Sequence, residues 1–135
     1  MNVESIMSTN VQCILPEMNL GDVREIFKKV PYHHLLVARE GGLLGIISDR
    51  DVLRMLSPFI DTANATAQDQ SLLETKAQDI MSTTLMTVKK DTSVDTAAIL
   101  LLEHNISCLP VVSKNDVIEG ILTWKDLLKY HVYIR

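Results

Sequence analysis

The sequence predicts an α+β protein built as two tandem β-α-β-β-α repeats, packed on each other with pseudo-twofold symmetry. Three observations carry this. The stretch Gly45-Ile46-Ile47-Ser48-Asp49-Arg50-Asp51-Val52-Leu53 returns as Gly120-Ile121-Leu122-Thr123-Trp124-Lys125-Asp126-Leu127-Leu128. A second stretch, Ile6-Met7-Ser8-Thr9, returns as Ile80-Met81-Ser82-Thr83. The offset of that pair also sets Ile14 on Val88, Leu20 on Val94, Leu35 on Leu109 and Val37 on Val111, with one residue inserted before the second glycine motif. Third, helical and strand-like periodicities alternate in the same order in both halves. Agreement in content and order reads as an internal duplication. The first repeat takes residues 1–58, a linker residues 59–74, and the second repeat residues 75–135. A unit of about 55 residues hides little of its sheet alone, so the two must pack together, with clefts of matched chemistry at their junction.

Each element has a local reason. Residues 3–8 read as a short helical opening. Val11 to Leu15 is a short β-prone run closed by Pro16. Asn19 caps a helix in which Leu20, Val23, Ile26, Phe27 and Val30 recur at helical spacing, with Asp22 placed for a capping box and Pro31 as the stop. His34 to Ala38 and Leu43 to Ile47 are strands joined by the turn Glu40-Gly41-Gly42, which implies an antiparallel hairpin. Asp49 to Leu56 is the closing helix, ended by Pro58. In the second repeat Leu85 to Val88 is the short strand, and Asp91-Thr92-Ser93 caps a helix that stops at Asn105. Cys108 to Val112 and Val117 to Leu122 form the hairpin, and Trp124 to about Tyr130 the last helix. Asp61 to Gln70 is polar without apolar periodicity and reads as an exposed loop, and Ser71 to Gln78 as helical.

Bulk properties narrow the function. Hydrophobic residues make up 47% and charged residues 22% of the 135, an ordinary globular balance; aromatics at 4% leave the core to aliphatics and methionine. With a formal net charge of −4 and no Lys/Arg cluster, nucleic acid is an unfavourable partner. Apolar runs fall far short of the roughly 20 residues that cross a bilayer. The N-terminus lacks a basic n-region and an apolar h-region, so the chain is assigned to the cytoplasm. Cys13 and Cys108 read as small buried hydrophobes rather than a disulfide framework. The four histidines show no metal-ligand spacing, and no nucleophile, base and oxyanion-hole pattern supports an enzyme.

The chemistry concentrates in the glycine motif. Ser48 and Thr123 sit where an N-cap belongs, and Asp51 and Asp126 follow three residues later. Such a turn offers backbone N–H groups and the positive helix end to a phosphate. It also suits a capping box with Asp in place of the usual Glu. The duplication in matched contexts favours a site, and both readings stay open. Asp49 adds charge beside Asp51 unless Arg50 or a histidine offsets it, whereas the second copy has Trp124 there.

Taken together, these motifs resemble a tandem pair of CBS (cystathionine-β-synthase) domains, a Bateman module. The resemblance rests on Ile6-Met7-Ser8 and Ile80-Met81-Ser82, on Ser107 to Val112 with its counterpart His33 to Val37, and on the two Gly-h-h-Ser/Thr-x-x-Asp motifs. It implies that an adenosine compound (AMP, ADP, ATP or S-adenosylmethionine) binds in clefts between the repeats. The motif aspartate would hold the ribose hydroxyls, and the Ser/Thr would touch phosphate. Carried over by position, one cleft uses Ser48 and Asp51, with Thr83, Leu85, Ile106 and Ser107 around the base. The other uses Thr123 and Asp126, with Thr9, Val11, Tyr32 and His33. The resemblance adds His33 and His34 as phosphate contacts, with cleft one preferred for a charged ligand. It further implies a homodimer through helices, with Val23, Phe27, Val52, Met55, Ala97, Leu101 and Leu128 as the candidate face. The expected function is a stand-alone regulatory module that binds an adenine nucleotide or related small molecule and signals to an effector protein. The alternative is a ligand-free interaction scaffold with degenerate clefts.

Overall fold

The computed structural model describes residues 1–134. Its strands are β1 (Cys13–Ile14), β2 (His34–Arg39), β3 (Gly42–Ser48), β4 (Cys108–Val112) and β5 (Ile118–Thr123). Its α-helices are α1 (Leu20–Lys29), α2 (Asp49–Met55), α3 (Ala67–Ser71), α4 (Val94–His104) and α5 (Trp124–Lys129), which runs on into a π-turn over Tyr130–Ile134. The chain divides into two compact units. The first unit comprises Met1–Val11, Gly41–Leu43 and Met86–Arg135; the second comprises Gln12–Glu40 and Leu44–Leu85. Each unit therefore takes its opening segment from one repeat and its body from the other.

The second unit is organised on the sheet β1-β2-β3, in which β1 runs parallel to β2 with Cys13 opposite Leu36 and Ile14 opposite Val37. Asn19 caps α1 by accepting from the Asp22 N–H at 2.8 Å; the reciprocal half of a capping box does not form. Leu20 and Val23 face inward to Ile14, Leu35, Val37, Ile47 and Val52. Ala77 completes this core, with Ile80 and Met81 packed against it. The segment that brings them is bonded in: Leu20 N–H donates to Thr75 O at 2.8 Å and Ala77 N–H to Met18 O at 2.8 Å. Burying such aliphatic side chains contributes about 1.5–3 kcal/mol each.

The first unit repeats this plan. Val3 is fully buried among Val94, Ala97, Leu101, Leu109, Val111, Leu122 and Leu127, and Ile6 and Met7 pack on that cluster. Val3 N–H donates to Thr92 O at 2.8 Å and Val94 N–H to Met1 O at 3.0 Å. Ser93 caps α4 by accepting from Thr96 N–H, and Asn105 closes it with a left-handed φ of 53°, as a C-terminal Asn can. Strands β4 and β5 are antiparallel, with a register irregularity between Val111 and Val112.

Several elements differ from expectation. Leu85 to Val88 makes no strand: only Val88 pairs, as a single parallel bridge to Val111. The polar 61–70 segment contains the start of α3, because Thr66 and Asp69 form a reciprocal capping box. That signal needs no apolar periodicity and was hidden by its absence. Ser71 to Gln78 is two 3-10 turns rather than one helix. Cys13 is exposed; Cys108 is buried, and burial pushes its thiol up to about 12. Of the dimer-face candidates, Val23, Val52, Ala97 and Leu101 are core residues. The helical apolar side chains that remain outward are Leu53 (70% exposed), Ile99, Leu102 and Leu128, with Met55 partly so. No helix among the described residues is long and apolar enough to cross a membrane.

Candidate functional site

In the second unit β3 feeds directly into α2, and the turn between them is held from both sides. Ser48 Oγ accepts from Asp51 N–H at 3.1 Å, and Asp51 Oδ2 accepts from Ser48 N–H at 2.9 Å. The capping reading is therefore realised in full. It occupies one carboxylate oxygen of Asp51; Oδ1 has no hydrogen-bond partner among the described residues. Ser48 and Asp51 are half-buried, so the carboxylate edge remains reachable.

The neighbouring segments are drawn in by backbone pairing. Ile46 and Ser82 exchange hydrogen bonds at 3.0 and 2.9 Å, which brings the strand before Thr83 alongside β3. This closeness explains Gly45: a Cβ there would lie 2.5 Å from Met81 Sδ and 3.0 Å from Ser82 O. Asp49 N–H donates to His33 O at 3.0 Å, and His33 Nδ1 lies 2.8 Å from Asp49 Oδ2. The histidine offset to Asp49 is thus supplied by His33. His34 is half-buried, and burial lowers its pKa against the opposing pull of Asp49. Tyr32 and Thr83 are exposed and Leu85 half-buried in the same unit.

The first unit presents the same turn between β5 and α5. Thr123 N–H donates to Asp126 Oδ2 at 2.9 Å, and Asp126 N–H to Thr123 Oγ1 at 3.4 Å. Ser8 and Ile121 exchange backbone hydrogen bonds at 2.9 Å each, placing Thr9 and Val11 in the chain just beyond. A Cβ on Gly120 would lie 2.8 Å from both Met7 Sδ and Ser8 O. Ser8 Oγ reaches Asp126 Oδ1 at 3.4 Å, a contact that the sequence reading missed although Ile-Met-Ser recurs in both repeats. Trp124 does not project freely. Its backbone N–H donates to Ser107 O at 3.3 Å and its indole Nε1–H to Ile106 O at 3.2 Å.

One expectation needs correction. The start of α2 was read as a turn of free N–H groups, yet the first and third are taken, by His33 O and Ser48 Oγ. The physical reason is that a reciprocal cap and a strand carbonyl satisfy the same donors that an anion would use.

A family model described as CBS domain matches residues 3–58 and 77–133. The chain belongs to the CBS domain family. Among CBS relatives, protein MJ1225 of Methanocaldococcus jannaschii is 29% identical over 129 residues, 95% of this chain. Its solved structure superposes with a TM-score of 0.84 over 96% of this chain. The CBS domain pair of protein MJ0100, solved with 5-methylthioadenosine and S-adenosyl-L-methionine, gives a TM-score of 0.77 at 25% identity and covers 97% of this chain and 95% of that one. CBSX2, solved with AMP, gives 0.80 at 25% identity, covering 96% and 95%. The chain spans 46% of the length of MJ1225 and under a quarter of two other curated relatives, at 24% and 22%.

Proposed function

We propose that this CBS pair is a cytoplasmic regulatory module that binds an adenosine compound and carries out no reaction of its own. The observation that carries the reading is whole-chain likeness to CBS pairs solved with adenosine ligands, together with a motif aspartate in each unit. Asp51 and Asp126 hold the ribose hydroxyls, because an ionised carboxylate accepts both hydrogens of a cis-diol. Ser48 and Thr123 lie beside the 5′ substituent. Thr83, Leu85, Ile106 and Ser107 border the base at one site; Thr9, Val11, Tyr32 and His33 border it at the other. His33 and His34 line the approach to Ser48.

Signalling requires that the ligand favour one arrangement of the chain over another. A homodimer through the outward apolar residues Leu53, Ile99, Leu102 and Leu128 supplies a face on which that difference is read by an effector. An open groove of about 630 Å³, lined by Phe27, Val52, Leu53, Leu56, Pro58 and Ile60, continues the apolar surface in the second unit.

The completeness of the two capping boxes favours a second reading, a scaffold in which both aspartates serve the fold alone. Calorimetry with AMP, ADP, ATP, S-adenosylmethionine and methylthioadenosine decides between them. Asp51→Asn keeps an acceptor oxygen for Ser48 N–H but loses the charge that a cis-diol needs. Binding at that site should fall at least about tenfold with little change in the urea midpoint. Asp51→Ala should also lose the cap, about 1 kcal/mol. No heat and no thermal shift with any of the five compounds would establish the scaffold.

A further inference from the structure

The two units carry the same motif but differ at the residue after its hydroxyl: Asp49 follows Ser48, and Trp124 follows Thr123. Around Ser48 the structure collects two carboxylates, Asp49 and Asp51, against one permanent cation, Arg50, on the same helix. His33 is already engaged with Asp49 at 2.8 Å. His34 is held toward its neutral form by burial. The donors an anion would seek are also largely committed, since Asp49 N–H goes to His33 O and Asp51 N–H to Ser48 Oγ. Charge and hydrogen bonding thus point the same way. A group placed beside Ser48 meets net negative charge and few free N–H donors.

Granting the adenosine reading above, on which this inference rests, the 5′ substituent is the group that lies there. We propose that the Ser48 site selects adenosine compounds with an uncharged or cationic 5′ substituent, a thioether or a sulfonium, over 5′-phosphates, and that Asp49 determines this specificity. A phosphate dianion near the Asp49 carboxylate is repelled in a partly desolvated cleft, whereas a sulfonium is attracted and a thioether is indifferent. The repulsion acts on one ligand and not the other, which makes it a device of discrimination rather than of affinity. At the Thr123 site an indole occupies this position, and that repulsion is missing.

The test compares methylthioadenosine with AMP by calorimetry at about pH 8, where histidines as a class are neutral. It uses Asp126→Asn protein, so that the Ser48 site reports alone. Methylthioadenosine should bind at least about tenfold more tightly than AMP. In Asp49→Asn/Asp126→Asn the gap should close to within about threefold through a gain for AMP. Methylthioadenosine affinity should stay unchanged, which also shows that the variant is folded. Equal or tighter binding of AMP before the Asp49 change would overturn the inference, as would a ratio indifferent to Asp49. Loss of both ligands in Asp126→Asn alone would overturn it too. If wild-type protein binds neither compound nor S-adenosylmethionine or ATP, the adenosine reading itself fails and this inference with it.

Discussion

Asp51 and Asp126 each perform the same small task twice over. One carboxylate oxygen, Oδ2, ties down the N–H of the preceding Ser48 or Thr123, while the hydroxyl of that residue ties down the aspartate's own N–H. Such an aspartate is aimed before any ligand arrives, with its second oxygen pointing elsewhere; at Asp126 that oxygen meets Ser8 Oγ at 3.4 Å. Preorganisation of this kind lowers the entropy lost on binding. His34 gives the residue scale a pH signature. Burial depresses its folded pKa, so it contributes stability that is full above the unfolded histidine value of about 6.5 and is lost as pH falls below it, where the unfolded chain takes up the proton first. Urea midpoints measured from about pH 8 down to about pH 5 should fall, and His34→Gln should flatten part of that slope. A slope unaltered by His34→Gln would assign the pH dependence to other groups.

Among elements, the decisive contact is between each opening segment and the glycine strand of its unit. Met81 and Ser82 press on Gly45, and Met7 and Ser8 press on Gly120, so close that no side chain fits. Gly45→Ala and Gly120→Ala should each cost about 1–3 kcal/mol in chemical denaturation, by overpacking. Their rescue should differ. At Gly45 the nearest atom is the movable Met81 sulfur at 2.5 Å, so Met81→Ala should recover much of the loss. At Gly120 the Ser8 backbone oxygen is as near as the Met7 sulfur, both at 2.8 Å, so Met7→Ala should recover less. A double-mutant cycle at each site reads the difference directly. Equal coupling energies would show that the strand backbone gives way instead.

At the scale of the whole molecule, continuity along the chain and compactness in space part company. Residues 12–85 contain all of the second unit, including Ala77, Ile80 and Met81, which complete its core. Residues 1–58 contain the body of that unit but not those residues, and carry instead an opening segment whose Val3 is buried in the other unit. A fragment of residues 12–85 should therefore melt cooperatively by circular dichroism, and a fragment of residues 1–58 should not. Cooperative melting of the 1–58 fragment would mean that the opening segment is dispensable to each core.

Much of this was legible in the residues themselves, because it depends on neighbours in sequence. The duplication, α1 with its Asn19 cap, α4 with its Ser93 cap and Asn105 stop, both hairpins and both Ser/Thr-x-x-Asp turns follow from patterns within a dozen residues. The same local signal at Thr66 and Asp69 was overlooked only because no apolar stripe accompanied it. Other features depend on residues far apart in the chain, and local pattern does not encode them. The sequence could place Gly45 and Met81 in matching motifs, but only folding showed that one excludes a side chain because of the other. It could set Asp49 near a histidine, but the 2.8 Å pairing with His33, and with it the loss of free donors at the start of α2, came from how β2 meets that helix. Local propensity determined which elements form and where they stop. Tertiary packing decided which core each opening segment completes and which polar groups around Ser48 and Thr123 remain unspent, because burial and hydrogen-bond satisfaction are settled between segments, not within them.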